Sequence, residues 1–323
     1  MVRISDIIGK REQPQEPDRE KPQKPTPQPS FSQFATDLSE KIGLMDKQRT
    51  QGLYQDMLSA ADDLIQKIKQ NKQKQIEILK IKQILVKLID QISMGNDYLF
   101  SLSYLSDIDD YLPGHLLNSC IYSLGLGISL GIEKSKLEEL GIACLFYTQD
   151  TADLLKDISG LPQVVSIVVS QHHERFDGSG YPQGLKADQI HEFSRIVGLC
   201  DTYEALTHSR PNQKKLLPNE AITKIIQEKS LFAPKILKKF IETMGIYPIE
   251  SWVELNNGEI GKVIGINKTS VLRPVVEVIL DPQGQRLSET RLIDLSQQTN
   301  LYIKKPLNEN EFNVEINIEK GRS

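Results

Sequence analysis

The chain has 323 residues, 25% of them charged and 39% hydrophobic, a mixture that suits one or two water-soluble globular domains and excludes a wholly disordered or membrane-embedded protein. Its net charge of −4 removes the electrostatic case for a nucleic-acid polymer as partner. No apolar run reaches the roughly 18 residues of a membrane helix and no signal peptide opens the chain, so no membrane span and a cytoplasmic location are expected.

In chain order, residues 1–35 begin with a short apolar start (MVRISDII) and continue into a stretch rich in Pro, Gln, Glu and Lys with almost nothing to bury, which predicts a disordered tail. Residues 36–96 place Leu64, Ile68, Ile76, Leu79, Val86 and Ile89 at roughly helical spacing, with Lys and Gln between them. This predicts one long helix or two, packing on the next domain of the chain or pairing with a second copy in a homodimer. Residues 97–247 read as consecutive helices, over 112–130, 136–147, 161–170, 194–207, 220–228 and 234–243, with Pro218-Asn219 as a start signal for the fifth. Cys120, Cys144 and Cys200 lie far apart in apolar helical contexts and read as buried free thiols of a reducing compartment. At Tyr247-Pro248 the period changes to alternation. Strands are predicted around Trp252–Leu255, Gly261–Ile266 and Pro274–Leu280, with Asn257-Gly258 as a hairpin turn and Asp281-Pro282-Gln283-Gly284 closing the third. Further short strands are expected near Leu292 and Tyr302, making a small β domain over 248–307, a meander or a small barrel. Residues 308–323 form a charged tail.

The densest chemistry lies in QHHERFDGSGYPQGL, residues 171–185. Adjacent histidines on a helix diverge by about 100°, so His172 and His173 cannot face one core from mid-helix, whereas a helix end can aim both at one point. Neutral imidazole is the commonest metal ligand, and Glu174 or Asp177 could orient it or join it. The alternative is a surface His-His pair beside a glycine loop.

The ordered set His172-His173-Glu174, Asp177-Gly178, Gly180-Tyr181-Pro182, Arg195, Asp201, Ala205-Leu206 and Arg210-Pro211 resembles the HD-GYP family, bacterial metal-dependent phosphohydrolases that cleave cyclic di-GMP. The resemblance runs from about Leu99 to Leu307 and implies a mainly α HD-type helical bundle, with a helical N-terminal region and a small C-terminal β domain. It also implies a two- or three-metal centre built from an early histidine, an adjacent His-Asp pair, a further histidine, the double histidine and a late aspartate. Two metals about 3.5–4 Å apart bind the phosphate and generate a hydroxide nucleophile.

Measured against that scheme, His115 matches the early histidine and Asp201 the late aspartate, but the His-Asp positions hold Phe146 and Tyr147, and the Gly-Lys positions after them hold Gln149 and Asp150. No histidine stands between positions 116 and 171. The candidate metal ligands are therefore His115, His172, His173 and Asp201, enough for one metal and not for the bridged pair. The alternative is that these four hydrogen-bond one another and Arg195 in a polar core. The nucleotide-contacting side is better kept: Gly178, Gly180, Tyr181 and Pro182 shape the loop, Glu204 replaces a family aspartate, and Arg210 matches the arginine used on phosphate or guanine. Lys214 and Lys215 could supply charge where Asn212-Gln213 does not. The expected function is non-catalytic, with no catalytic residue assigned: a receptor for cyclic di-GMP, or a scaffold for a signalling protein partner, through the GYP loop. No bound cofactor is expected, a single iron or manganese ion being the alternative. The competing reading is a phosphodiesterase with a reduced metal site.

Overall fold

A computed structural model of the chain describes residues 47–70, 76–105, 111–147, 155, 158–208 and 215–307. The expected tails at 1–35 and 308–323, the start of the 36–96 region, Gln149, Asp150, Arg210 and Lys214 lie outside these residues. Among them are nine α-helices: α1 (Lys47–Lys69), α2 (Ile78–Ser93), α3 (Tyr98–Leu105), α4 (Tyr111–Ser129), α5 (Lys134–Phe146), α6 (Val164–Gln171), α7 (Glu192–Thr207), α8 (Pro218–Gln227) and α9 (Pro234–Met244). Five strands come after the helices: β1 (Trp252–Leu255), β2 (Ile260–Gly265), β3 (Val275–Leu280), β4 (Arg286–Asp294) and β5 (Ile303–Leu307). The protein is mainly α, with a small antiparallel sheet at its C-terminal end.

The N-terminal region resolves into two helices. In α1, Tyr54, Met57, Ala61, Leu64, Ile65 and Ile68 recur every three or four residues and are buried. In α2 the buried stripe is Ile78, Ile81, Leu85, Leu88, Ile89 and Ile92. Both stripes join α3 to α9 in one hydrophobic core, so the break read at 96/97 is not a break in packing. Helix α4 sits at the centre. Leu116, Leu117, Cys120, Ile121 and Leu124 make one buried apolar face, and Asn118, Ser119, Tyr122 and Ser123 on the other sides are buried too, so the helix is enclosed right round. The three cysteines are free and buried in the same core, on α4, α5 and α7. Helix α8 starts where the sequence signals it: Pro218 occupies the first turn and the Glu220 carboxylate accepts from Leu217 N–H at 2.9 Å. No helix among the described residues is long and apolar enough to cross a membrane.

The sheet has the order β4-β3-β2-β1-β5, every pair antiparallel, an open meander in which β5 returns beside β1. The β1–β2 turn is the expected one: Gly258 adopts φ +87°, a region costly for any side-chain-bearing residue. Val253, Leu255, Val263, Val276, Val278 and Leu295 form its own core. The sheet domain is tied to the helices by Val271, which enters the helical core, and by Ser101 Oγ, which donates to Ile249 O at 2.9 Å.

Candidate functional site

Two helices and two helix ends bring the sequence-distant residues together. Helix α4 carries His115 and, one turn on, Ser119; α7 carries Asp201 and Glu204. Tyr147 stands just past the end of α5, and His172 caps α6. Gly198 lets α7 approach: a Cβ there would lie 2.5 Å from His172 O. At the end of α6 the two imidazoles do turn toward one another, with ring centroids 3.9 Å apart.

His115 is buried and engaged at both nitrogens. Nδ1 lies 2.5 Å from Glu204 Oε2, and Nε2 lies 2.7 Å from Tyr147 Oη and 3.1 Å from Asp201 Oδ1. The Tyr147 hydroxyl also reaches Asp201 Oδ1 at 3.0 Å and Ser119 Oγ at 3.1 Å. Burial by itself would push the His115 pKa down, but hydrogen bonds to Asp201 and Glu204 outweigh it and raise the pKa to about 9. Burial likewise works against ionised Asp201, yet the His115 bond and charge hold it down at about 2. The set is thus an imidazolium between two carboxylates, with a neutral phenol closing the ring of contacts; burial pushes the Tyr147 pKa up.

Glu204, read with the nucleotide-contacting residues, is turned into the interior. It is 1% exposed, and besides His115 it faces His208, whose Nδ1 is 3.4 Å from Oε1. His208 extends the polar network: its Nε2 is 2.6 Å from Ser103 O and 3.2 Å from Asn118 Nδ2, and the Tyr54 hydroxyl on α1 donates to Asn118 Oδ1 at 2.8 Å. Ser119, Asn118, His208 and Tyr54 were missed by the sequence reading. Spacing held a signal for two of them, since Asn118 and Ser119 stand three and four residues after His115 and therefore share its helix face. Arg195 is not in this network. Its guanidinium pairs with Asp188 at 2.9 Å.

His172 donates from Nδ1 to the carbonyls of Val168 (3.2 Å) and Val169 (3.0 Å), which fixes its tautomer and leaves Nε2 as the acceptor. Burial, followed by the neighbouring His173, lowers its pKa to about 4. Its ring lies edge-on to Tyr147 at 5.0 Å. His173 is turned outward and stacks under Tyr181 at 4.7 Å. Among the described residues no three His, Cys, Asp or Glu side chains converge as a metal site does. His115, His172, His173 and Asp201, as arranged, therefore do not fit a bound metal: the nitrogen and oxygen of His115 and Asp201 that would face it are taken by each other and by Tyr147.

The glycine loop is built differently. The buried Glu174 carboxylate accepts from Gln183 N–H at 2.7 Å and Leu185 N–H at 2.9 Å, pinning the far side of the loop. Gly180 passes so close to the backbone of His173, Glu174 and Arg175 that a Cβ would overlap all three. Gly178 has φ +85°, and the Tyr181–Pro182 peptide is cis. Tyr181 is left 53% exposed on the outside. Asp177 accepts from Ser179 N–H and Oγ–H within the turn. The Lys215 ammonium lies 6.0 Å from the Tyr104 ring centroid.

A helical bundle with a double histidine at one helix end, facing an aspartate on the next helix, defines an HD-type protein. Comparison with known families agrees: residues 144–236 match the HD domain and residues 252–315 match the KOW domain associated with HD domain. The chain is 28% identical over 241 residues to the cyclic di-GMP phosphodiesterase PA4108 of Pseudomonas aeruginosa, covering 64% of this chain and 58% of that protein. It is 25% identical over 231 residues to the cyclic di-GMP phosphodiesterase PdeB of Borreliella burgdorferi, covering 62% and 61%. A shorter stretch of 88 residues, 27% of this chain and 20% of the relative, is 38% identical to the 3'3'-cGAMP-specific phosphodiesterase 1 of Vibrio cholerae. The helical part of the chain thus carries a match to the HD domain, its relatives are cyclic-dinucleotide phosphodiesterases, and it spans about three fifths of the length of the first two.

Proposed function

We propose that this protein works in cyclic-dinucleotide signalling without hydrolysing the nucleotide, as a receptor for cyclic di-GMP or as a scaffold for a signalling protein. The observation that carries this reading is the contrast across the double histidine. Behind it, His115, Asp201 and Glu204 are already satisfied by one another and by Tyr147. In front of it, a loop anchored by Glu174 holds Tyr181 out to solvent. An aromatic face backed by His173 offers stacking to a nucleobase, worth about 1–3 kcal/mol per base, and Gly178 and Gly180 leave backbone accessible to phosphate. Arg210 would supply bidentate bonding to phosphate or guanine. Relatives named as phosphodiesterases of cyclic di-GMP or cGAMP support this ligand class.

The second reading, a phosphodiesterase with a reduced metal site, has one observation in its favour besides those names. His172 Nδ1 is fixed by backbone carbonyls, the way a metal-ligating histidine is commonly oriented. Titration of fluorescent cyclic di-GMP with the full chain, followed by chromatography of the nucleotide after incubation with Mn²⁺ or Fe²⁺, separates the readings. The receptor reading expects intact nucleotide and saturable binding, weakened about tenfold or more in Tyr181→Ala through the lost stacking. Linear product that disappears in the His172→Ala, His173→Ala double variant would establish the enzyme instead. Intact nucleotide without binding would leave only the scaffold.

A further inference from the structure

We infer that Tyr147 is an internal stopper: its phenol oxygen fills the position that a divalent cation would need between His115 and Asp201, and so keeps the cation out. Oη lies 2.7 Å from His115 Nε2 and 3.0 Å from Asp201 Oδ1, two atoms that are themselves 3.1 Å apart. Bonds of about 2.0–2.2 Å from one cation to that nitrogen and that oxygen leave no room for a phenol oxygen on the same side. The ring is held in place as well as the oxygen. It packs against His115 at 5.7 Å and edge-on to His172 at 5.0 Å, and Ser119 Oγ gives the hydroxyl a third polar neighbour at 3.1 Å. The phenol is therefore buried without an unmet hydrogen bond, and nothing in its surroundings drives it out. His115 meanwhile bridges Asp201 and Glu204, so the buried Glu204 and the partly buried Asp201 face a partner inside the chain where a metal would otherwise stand between them.

The block then rests on one side chain. Removing it leaves His115 Nε2 and Asp201 Oδ1, 3.1 Å apart, as a nitrogen and an oxygen donor open to one cation. Tyr147→Asp adds a carboxylate at the same place. This inference rests on the non-hydrolytic reading and deepens it by naming the residue that enforces it.

The test is calorimetric titration of the chelator-treated full chain with Zn²⁺ and Mn²⁺, with thermal melting before and after addition, for wild type, Tyr147→Ala and Tyr147→Asp. The expected result is no stoichiometric uptake and an unmoved melting point in the wild type. Tyr147→Asp is expected to bind about one cation per chain with a raised melting point, and to lose both on adding His115→Ala. Wild-type uptake that His115→Ala abolishes would overturn the inference, whatever the variants do. So would Tyr147→Ala and Tyr147→Asp proteins with wild-type circular dichroism and no uptake. Cyclic di-GMP titrated into the same samples keeps the two claims apart: failure to bind nucleotide sinks the receptor reading and leaves the stopper standing.

Discussion

The two sides of His172-His173 solve opposite problems with the same kinds of residue. Behind the pair, His115, Tyr147, Asp201, Glu204 and His208 turn their polar atoms on one another in a buried network that reaches Tyr54 on α1. In front of it, Glu174 gives its carboxylate to backbone N–H groups, which frees the loop to present Tyr181. A carboxylate beside a histidine is thus no signature of chemistry in itself; what its oxygens already bind decides the role.

The comparison breaks most sharply at Glu204. Glu204→Ala leaves His115 and His208 without their buried carboxylate, and breaking such a pair typically costs about 3–5 kcal/mol. Denaturant unfolding should show that loss, whereas Glu174→Gln should cost about 1–3 kcal/mol, because an amide keeps one acceptor oxygen but not two. Gly180→Ala should fall between them in stability and abolish nucleotide binding, since its Cβ overlaps the backbone of three neighbours. Tyr181→Ala is the mildest: within about 0.5 kcal/mol of wild type in stability, because the ring is half exposed, yet defective in ligand binding.

The interior should also carry a pH signature in metal-free protein. His115 titrates near 9 when folded, above its ordinary 6.5, so its contribution is full below pH 6.5 and is lost as pH rises through 9. His172 titrates near 4 when folded, so its contribution is full above pH 6.5 and is lost as pH falls toward 4. Asp201, at about 2 when folded, stabilises above its ordinary 3.8 and gives way only as pH falls further toward 2. Stability measured against pH should therefore peak near neutrality, and His115→Gln should flatten the alkaline limb and weaken the Asp201 part of the acid limb, while the His172 part stays in place. An unchanged alkaline limb would show that His115 is not the bridging imidazolium.

Much of this was legible in residue order. The helices from α4 to α9 and the first three strands fall within a few residues of their expected places, because Pro218, Pro234, Asn257-Gly258 and Asp281-Pro282 mark ends through local backbone chemistry. The stripes of α1 and α2 were visible too, but not what they cover, since an apolar face reads the same against a second copy as against its own chain. The double histidine's place at a helix end was readable from the apolar run before it, but not that His172 turns to Tyr147 and His173 to Tyr181. The roles of Tyr147 and Glu204 were not. Sequence shows that Tyr147 stands where the family resemblance expects an aspartate, but only tertiary packing shows that its hydroxyl reaches His115 on α4 and Asp201 on α7. Arg195 misled for the same reason: its position matched, and its guanidinium turned to Asp188.

The most direct measurement is elemental analysis of iron, manganese and zinc in the full chain, purified without chelator from cells supplied with those metals. A closed interior predicts a content near zero, unchanged in Asp201→Ala. One or two equivalents per chain, lost in Asp201→Ala, would contradict it and return the phosphodiesterase reading to first place.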